Sequence, residues 1–190
     1  MKKILLFSIN ILLISSCVIA QKKKNNKQST KISTEKKVGK VELVDANLPL
    51  TWHTDLQKAN EVSKKTNKPI FGFFTGSDWC GWCTKLQKDV FAKQDFIIWA
   101  KEKVVLLELD FPRYKQLPLA LQQQNGGLKQ ALTVNGFPTI WLFNLSTDTA
   151  NNKININPIG SLGYPGSAIA GKEEIAFLET ANGILNGVKK

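Results

Sequence analysis

The amino-acid sequence predicts an α/β domain in which strands alternate with helices in three layers, and three observations carry that expectation. Short, almost wholly apolar runs recur at Ile70-Phe71-Gly72-Phe73-Phe74, Val104 to Asp110 and Thr139-Ile140-Trp141-Leu142-Phe143, as expected of strands buried on both faces. Between them apolar residues return at helical spacing, as at Leu56, Ala59 and Val62 and again at Cys83, Leu86 and Val90. Turn-forming residues punctuate the boundaries. At 190 residues with 43% hydrophobic composition, the chain has material for one domain with a real core plus appended segments.

Residues 1–20 read as an export signal rather than as part of the fold: Lys2 and Lys3 precede an apolar stretch from Ile4 to Ile19, short for a membrane-spanning helix. Cleavage after Ala20 is one reading. The other is a lipobox, Ile14-Ser15-Ser16-Cys17, which would lipidate Cys17 and anchor the chain to the membrane of a bacterial envelope. Val18, Ile19 and Ala20 are still apolar where a lipoprotein usually turns polar, which favours cleavage; an uncleaved anchor is the third alternative. Residues 21–40, rich in Lys, Asn, Gln, Ser and Thr, cannot bury enough surface to fold and read as a solvated linker. Attraction to anionic lipid headgroups is its functional alternative.

The globular part is expected over residues 41–190. Val41-Glu42-Leu43-Val44 alternates like an edge strand, and a helix follows from Leu56, capped by Thr54 or Asp55 and stopped at Asn67-Lys68-Pro69. After the first buried strand, Thr75-Gly76-Ser77-Asp78 supplies turn chemistry ahead of the helix that starts at the cysteines, and Phe96 to Lys103 continues as helix. Beyond the second strand, Leu117 to Gln124 and Leu128 to Leu132 read as a helix broken at Gly126-Gly127. The third strand is followed by a polar surface turn from Asn144 to Lys153, a last strand from Ile154 to Ile159, a turn at Gly163-Tyr164-Pro165-Gly166, and a closing helix from Glu173 to Leu185.

Charge excludes one class of partner. The chain carries a formal +11, but residues 1–40 hold ten Lys against the single acid Glu35, so only +2 belongs to the rest. A nucleic-acid groove needs clustered cations on one folded face, and the folded part lacks the charge for one.

The chemistry is expected at Trp79-Cys80-Gly81-Trp82-Cys83. With Cys17 removed or lipidated, Cys80 and Cys83 are the only thiols left, too few for a disulfide framework or a four-ligand zinc site of their own. At a helix start, unpaired backbone N–H groups and the helix dipole favour the thiolate of the first cysteine. Cys80 is therefore the candidate nucleophile. Cys83, one turn on, is the candidate resolving thiol that attacks the mixed disulfide and frees the substrate.

The segment from Phe73 to Cys83 resembles the active-site segment of the thioredoxin superfamily, and Phe137-Pro138-Thr139, just ahead of a strand, is similar to its cis-proline loop. The resemblance covers roughly residues 50 to 188 and is closest to the extracytoplasmic bacterial branch, similar to the C-terminal domain of transmembrane thiol:disulfide interchange proteins; Tyr164-Pro165-Gly166 suits that branch. It implies a thioredoxin fold, a central mixed β-sheet flanked by helices, with no organic cofactor. It also implies that Pro138 packs on the cysteine pair and that the Phe137 backbone pairs with substrate. The partners implied are substrate proteins with disulfides and an upstream thiol reductant, such as a membrane reductase.

The likeness departs from the family at one place. The strand entering the site offers Phe and Gly where thioredoxins carry a buried Asp, which leaves Glu108 and Asp110 on the next strand as candidates for the proton relay, or as plain strand carboxylates. Gly and Trp between the cysteines supply no charge to stabilise a thiolate, which favours reductase or isomerase activity over disulfide donation. Trp79 and Trp82 are candidate substrate contacts, with loop packing as the alternative for Trp79. His53, the only histidine, is read as a surface or helix-start residue. Two other functions use the same residues: a copper-binding protein with two thiolate ligands, which the single Met at position 1 and the remote His53 disfavour, and a non-catalytic interaction module.

Overall fold

The computed structural model describes residues 49–148 and 153–187. The expected leader, Cys17, the linker and the strand at Val41–Val44 lie outside the described residues. Five strands form one mixed sheet in the order β1-β3-β2-β4-β5: β1 (Trp52–His53), β2 (Ile70–Thr75), β3 (Val105–Asp110), β4 (Thr139–Asp148) and β5 (Lys153–Leu162). The first three run parallel to one another, β1 and β2 both pairing with β3, and β4 and β5 run antiparallel to their neighbours.

Every residue of β2 is buried, and alternation sends its side chains into two separate cores. Phe71 and Phe73 join the cluster that contains Cys80 and Cys83, together with Leu86, Phe96, Trp99 and Phe177. Ile70 and Phe74 join the opposite cluster with Ala59, Leu107, Leu109 and Leu128. The first cluster is roofed by α2 (Gly81–Leu86), the π-helical turn Gln87–Phe91, α3 (Gln94–Lys103) and α5 (Glu173–Gly187); the second by α1 (Leu56–Thr66) and α4 (Leu119–Ala131). This three-layer arrangement matches the expected fold class. Phe71 is the hub of the cysteine-side core, with the rings of Trp52, Phe91, Phe96, Trp99 and Phe177 all within 6.2 Å of its centroid.

Local chemistry fixes the boundaries of α1. Asp55 caps it, its carboxylate accepting the N–H groups of Gln57 and Lys58 at 2.8 and 3.0 Å, and Asn67 ends it in the left-handed conformation at φ 54°.

Three expectations are corrected. Residues 119–131 form one unbroken helix, because Gly126 and Gly127 face open space while Asn125 and Leu128 anchor the same turn from the buried side, Asn125 donating to the Asp110 carbonyl at 2.9 Å. The polar run from Asn144 continues as strand to Asp148, and β5 starts at Lys153 and extends to Leu162, the two strands pairing as far as Asp148 with Lys153. His53 lies in β1, a two-residue strand paired with Leu107 rather than a helix start. Both edges of the sheet are interrupted or short: β1 spans two residues, and β5 carries Pro158 beside an irregularity in its register with β4.

Candidate active site

The site forms where β2 ends and α2 begins. The backbone turns at Gly76, whose carbonyl accepts the N–H of Cys80 at 2.8 Å, and Cys80 takes the N-cap of α2. Its Sγ accepts the Cys83 N–H at 3.2 Å, a donor shared with the Cys80 carbonyl at 3.0 Å, so a helix-start N–H points at this sulfur, the interaction that favours a thiolate. Cys80 and Cys83 are joined as a disulfide, with 5.2 Å between their Cα atoms. Cys80 is 7% exposed and Cys83 2%, so Cys83 is the more enclosed of the two sulfur-bearing residues.

Trp79 lies flat against Gly76, closely enough that a Cβ there would stand 2.5 Å from its Nε1. Its indole N–H donates to the Phe111 carbonyl at 2.8 Å, and its ring meets Phe137 edge-on at 5.8 Å, while Phe137 in turn stacks on Phe111 at 5.2 Å. The guanidinium carbon of Arg113 sits 3.8 Å from the Trp79 ring centroid. The Phe137–Pro138 peptide is cis, and Gly163 approaches it: a Cβ at Gly163 would lie 3.4 Å from the Pro138 carbonyl oxygen. On the other side Trp82, 59% exposed, packs at 5.2 Å against Tyr164. Tyr164 donates its hydroxyl to Asp89 at 2.8 Å, and Asp89 is ion-paired with Lys85, whose ammonium stands over the Tyr164 ring.

Two carboxylates tie the loops together in opposite directions. Asp78 accepts the backbone N–H groups of Arg113, Tyr114 and Lys115 at 2.9, 2.8 and 3.3 Å. Burial pushes the Asp78 carboxyl up, but those donors outweigh it and hold it below the usual carboxylate range. Asp110 reaches back, accepting the Ser77 N–H and hydroxyl at 2.8 and 2.7 Å and pairing with Lys115 at 3.0 Å. Glu108 is different. It lies beside Phe73 in the β2–β3 register, on the cysteine side of the sheet, since its neighbours Leu107 and Leu109 belong to the opposite core. It is half-buried, and that burial, reinforced by Asp110 and opposed by Lys115, raises its pKa. The Thr75 hydroxyl, two residues beyond Phe73 on the same strand face, is buried without a hydrogen-bond partner among the described residues.

Trp79 and Phe137 thus pack against the cluster that holds Cys80 and Cys83, Trp82 rests on Tyr164 of the same cluster's border, Pro138 follows Phe137 through the cis peptide, and Glu108 lies on the cysteine side of the sheet. Asp110 instead holds the active-site loop. The sequence reading missed Phe111, Arg113, Lys85 and Asp89; the signal available was Asp110-Phe111-Pro112-Arg113, a strand end running into an aromatic, a proline and the chain's sole arginine. His53 borders a groove with Leu50, Val62 and Thr66, remote from these residues along the sheet. Among the described residues no group of three or more His, Cys, Asp and Glu side chains could hold a metal ion, and no helix is long and apolar enough to cross a membrane.

The family described as "Thioredoxin-like domain" matches residues 56–151, from α1 through β4. The chain belongs to the thioredoxin-like family. Two curated thioredoxin-like relatives come from Chlamydia pneumoniae. The first, "Disulfide bond reductase DsbH", is 40% identical over 91 residues, 48% of this chain and 54% of that protein. The second, "Thioredoxin-related protein DsbJ", is 32% identical over 114 residues, 60% of this chain and 31% of that protein. The chain therefore spans about half the length of the first and under a third of the second. Among solved structures, "DsbH Oxidoreductase" superposes with a TM-score of 0.60 at 28% identity, covering 80% of this chain and 95% of that one.

Proposed function

We propose that this thioredoxin-like protein is an extracytoplasmic thiol–disulfide oxidoreductase that reduces or isomerises disulfides in other proteins. The observation that carries the reading is the placement of the Cys80–Cys83 disulfide at the start of α2, with Cys80 as the cap and an aromatic rim around it. The relative named disulfide bond reductase DsbH favours the reductive direction.

In the reduced protein the Cys80 thiolate attacks one sulfur of the substrate disulfide; a mixed disulfide forms and one substrate thiolate leaves. The Cys83 thiol loses its proton and attacks Cys80 Sγ, which releases the second substrate thiolate and closes the Cys80–Cys83 disulfide. Two electrons pass to the substrate, and an external dithiol donor, such as a membrane reductase or another thioredoxin-like protein, restores them. Pro138 and the Phe137 backbone shape the substrate groove, and Trp79 and Trp82 supply its apolar walls. Of the two candidate carboxylates, Glu108 is the better proton acceptor for Cys83. It is half-buried on the cysteine side of the sheet and burial raises its pKa, whereas Asp110 is occupied by Ser77 and Lys115. The protein works in the bacterial envelope, exported by cleavage after Ala20 or tethered through a lipidated Cys17.

Insulin reduction by the wild type, Cys80→Ser and Cys83→Ser tests the reading. Both variants lose turnover, and Cys83→Ser accumulates mixed disulfides with client proteins. Absence of dithiol cycling in the wild type, together with no trapped client, refutes it.

A further inference from the structure

Arg113 is the only arginine of the chain, and it sits on the tryptophan that precedes the reactive cysteine. Its surroundings differ from those of the other cations near the disulfide. Lys85 is neutralised by Asp89 and Lys115 by Asp110, whereas the Arg113 side chain makes no ion pair among the described residues. The acids of this wall are already engaged: Asp78 by three backbone donors, Asp110 by Ser77 and Lys115. Arg113 is exposed, with one face of its guanidinium covered by Trp79. Stacking leaves the in-plane N–H donors open to solvent, and that edge matches a carboxylate, which can accept two parallel hydrogen bonds.

The guanidinium is also held in place. A recess of about 470 Å³ is lined by the segment from Phe111 to Leu117 and by Gln122 and Asn125 of α4, with Gln122 donating to the Leu117 carbonyl at 2.7 Å. Within that segment, the stretch from Arg113 to Lys115 is tied to the active-site loop by the Asp78 carboxylate, which accepts the N–H groups of all three residues.

We propose that Arg113, positioned by Asp78, is a specificity-determining residue that recruits disulfides flanked by an acidic side chain. The inference rests on the exchange activity proposed above and names the substrate class of that site. A polypeptide with Asp or Glu beside its cysteine places the carboxylate on the Arg113 edge as its sulfur reaches Cys80. On the opposite wall Lys85 and Lys88 both stand near the Asp89 carboxylate, whereas Arg113 has no acid paired with its side chain among the described residues, so the selection acts from the Trp79 side.

Two synthetic peptides test this, each closed by one intramolecular disulfide and differing only in Asp or Asn next to one cysteine. Their reduction is followed at low salt with dithiothreitol as electron donor, using wild type, Arg113→Gln, Arg113→Lys, Arg113→Glu and Asp78→Asn. The wild type prefers the Asp peptide by about fivefold in kcat/KM, carried by KM, which is the upper range for an exposed ion pair. Arg113→Gln brings the ratio near one, Arg113→Lys keeps part of it, and Arg113→Glu inverts it. Asp78→Asn lowers the ratio, and the double variant with Arg113→Gln lowers it no further, as expected if Asp78 acts through Arg113. A wild-type ratio near one, or an undiminished ratio in Arg113→Gln, overturns the proposal while leaving the exchange activity intact. A wild type that reduces neither peptide refutes the exchange activity itself.

Discussion

A methyl group at Gly76 sets the active-site tryptophan against its own support. In Gly76→Ala the new Cβ would stand 2.5 Å from Nε1 and 2.8 Å from Cζ2 of Trp79, inside any tolerated contact. The ring cannot retreat freely, because its N–H is bonded to the Phe111 carbonyl at 2.8 Å and its edge rests on Phe137. Swinging it away gives up about 1 kcal/mol for the hydrogen bond and roughly 0.5–1.5 kcal/mol for the aromatic pair. Shifting the backbone instead costs about 1–3 kcal/mol as overpacking. Either route lands near 2 kcal/mol, so urea unfolding of the oxidised variant should show a lower midpoint at unchanged slope, with a loss of about that size. Adding Trp79→Val removes the collision, so the double variant should lose less than the two single losses combined. A Gly76→Ala protein within about 0.5 kcal/mol of the wild type would refute the argument, because ordinary surface changes are that small.

Three further outcomes follow from the geometry. Phe71→Ala empties the hub of the cysteine-side core and should cost about 3–5 kcal/mol in the same unfolding assay, whereas a loss under about 1 kcal/mol would mean that the ring cluster repacks. Glu108 has a folded pKa above its unfolded value, so the stability tied to its protonated form is complete in acid and is lost as pH rises through the folded pKa. Glu108→Gln should therefore unfold at higher urea than the wild type at pH 7 and at equal urea in acid below the ordinary carboxylate pKa, while its mixed disulfides with substrate resolve more slowly near neutrality. Asp78 has the opposite sign: its stabilisation is present above the unfolded pKa and is lost as pH falls through the depressed folded pKa. Melting curves taken down the acid range should thus fall more steeply for the wild type than for Asp78→Asn.

The sequence was most informative where one physical demand dominates. An apolar run such as Ile70–Phe74 has to be buried on both faces, and a paired Cys-x-x-Cys after it has few uses, so the central strand, the helix start and the two sulfurs were legible in advance. Asp55 and Asn67 announced the ends of α1 because a cap and a left-handed stop are local events. Gly126-Gly127 misled, since their intrinsic helix cost of about 1 kcal/mol each is overcome by Asn125 and Leu128 on the buried side, a tertiary effect. The polar residues after Asn144 misled differently: their polarity reports exposure to water, not the backbone pairing with Lys153–Asn157 across the hairpin. The Arg113–Trp79 contact spans 34 positions and depends on a loop held by Asp78, so no local pattern could have announced it.

The interrupted sheet borders bear on how the protein resists adding other extended chains to its own sheet. Chains awaiting correct disulfides expose unpaired main-chain groups that readily add to any open strand. Here β1 offers only two residues, and Pro158 removes an N–H from β5 next to a register irregularity. Neither border presents a long uninterrupted template, so under the proposed exchange activity a half-folded client would find no continuous ladder on which to add a strand.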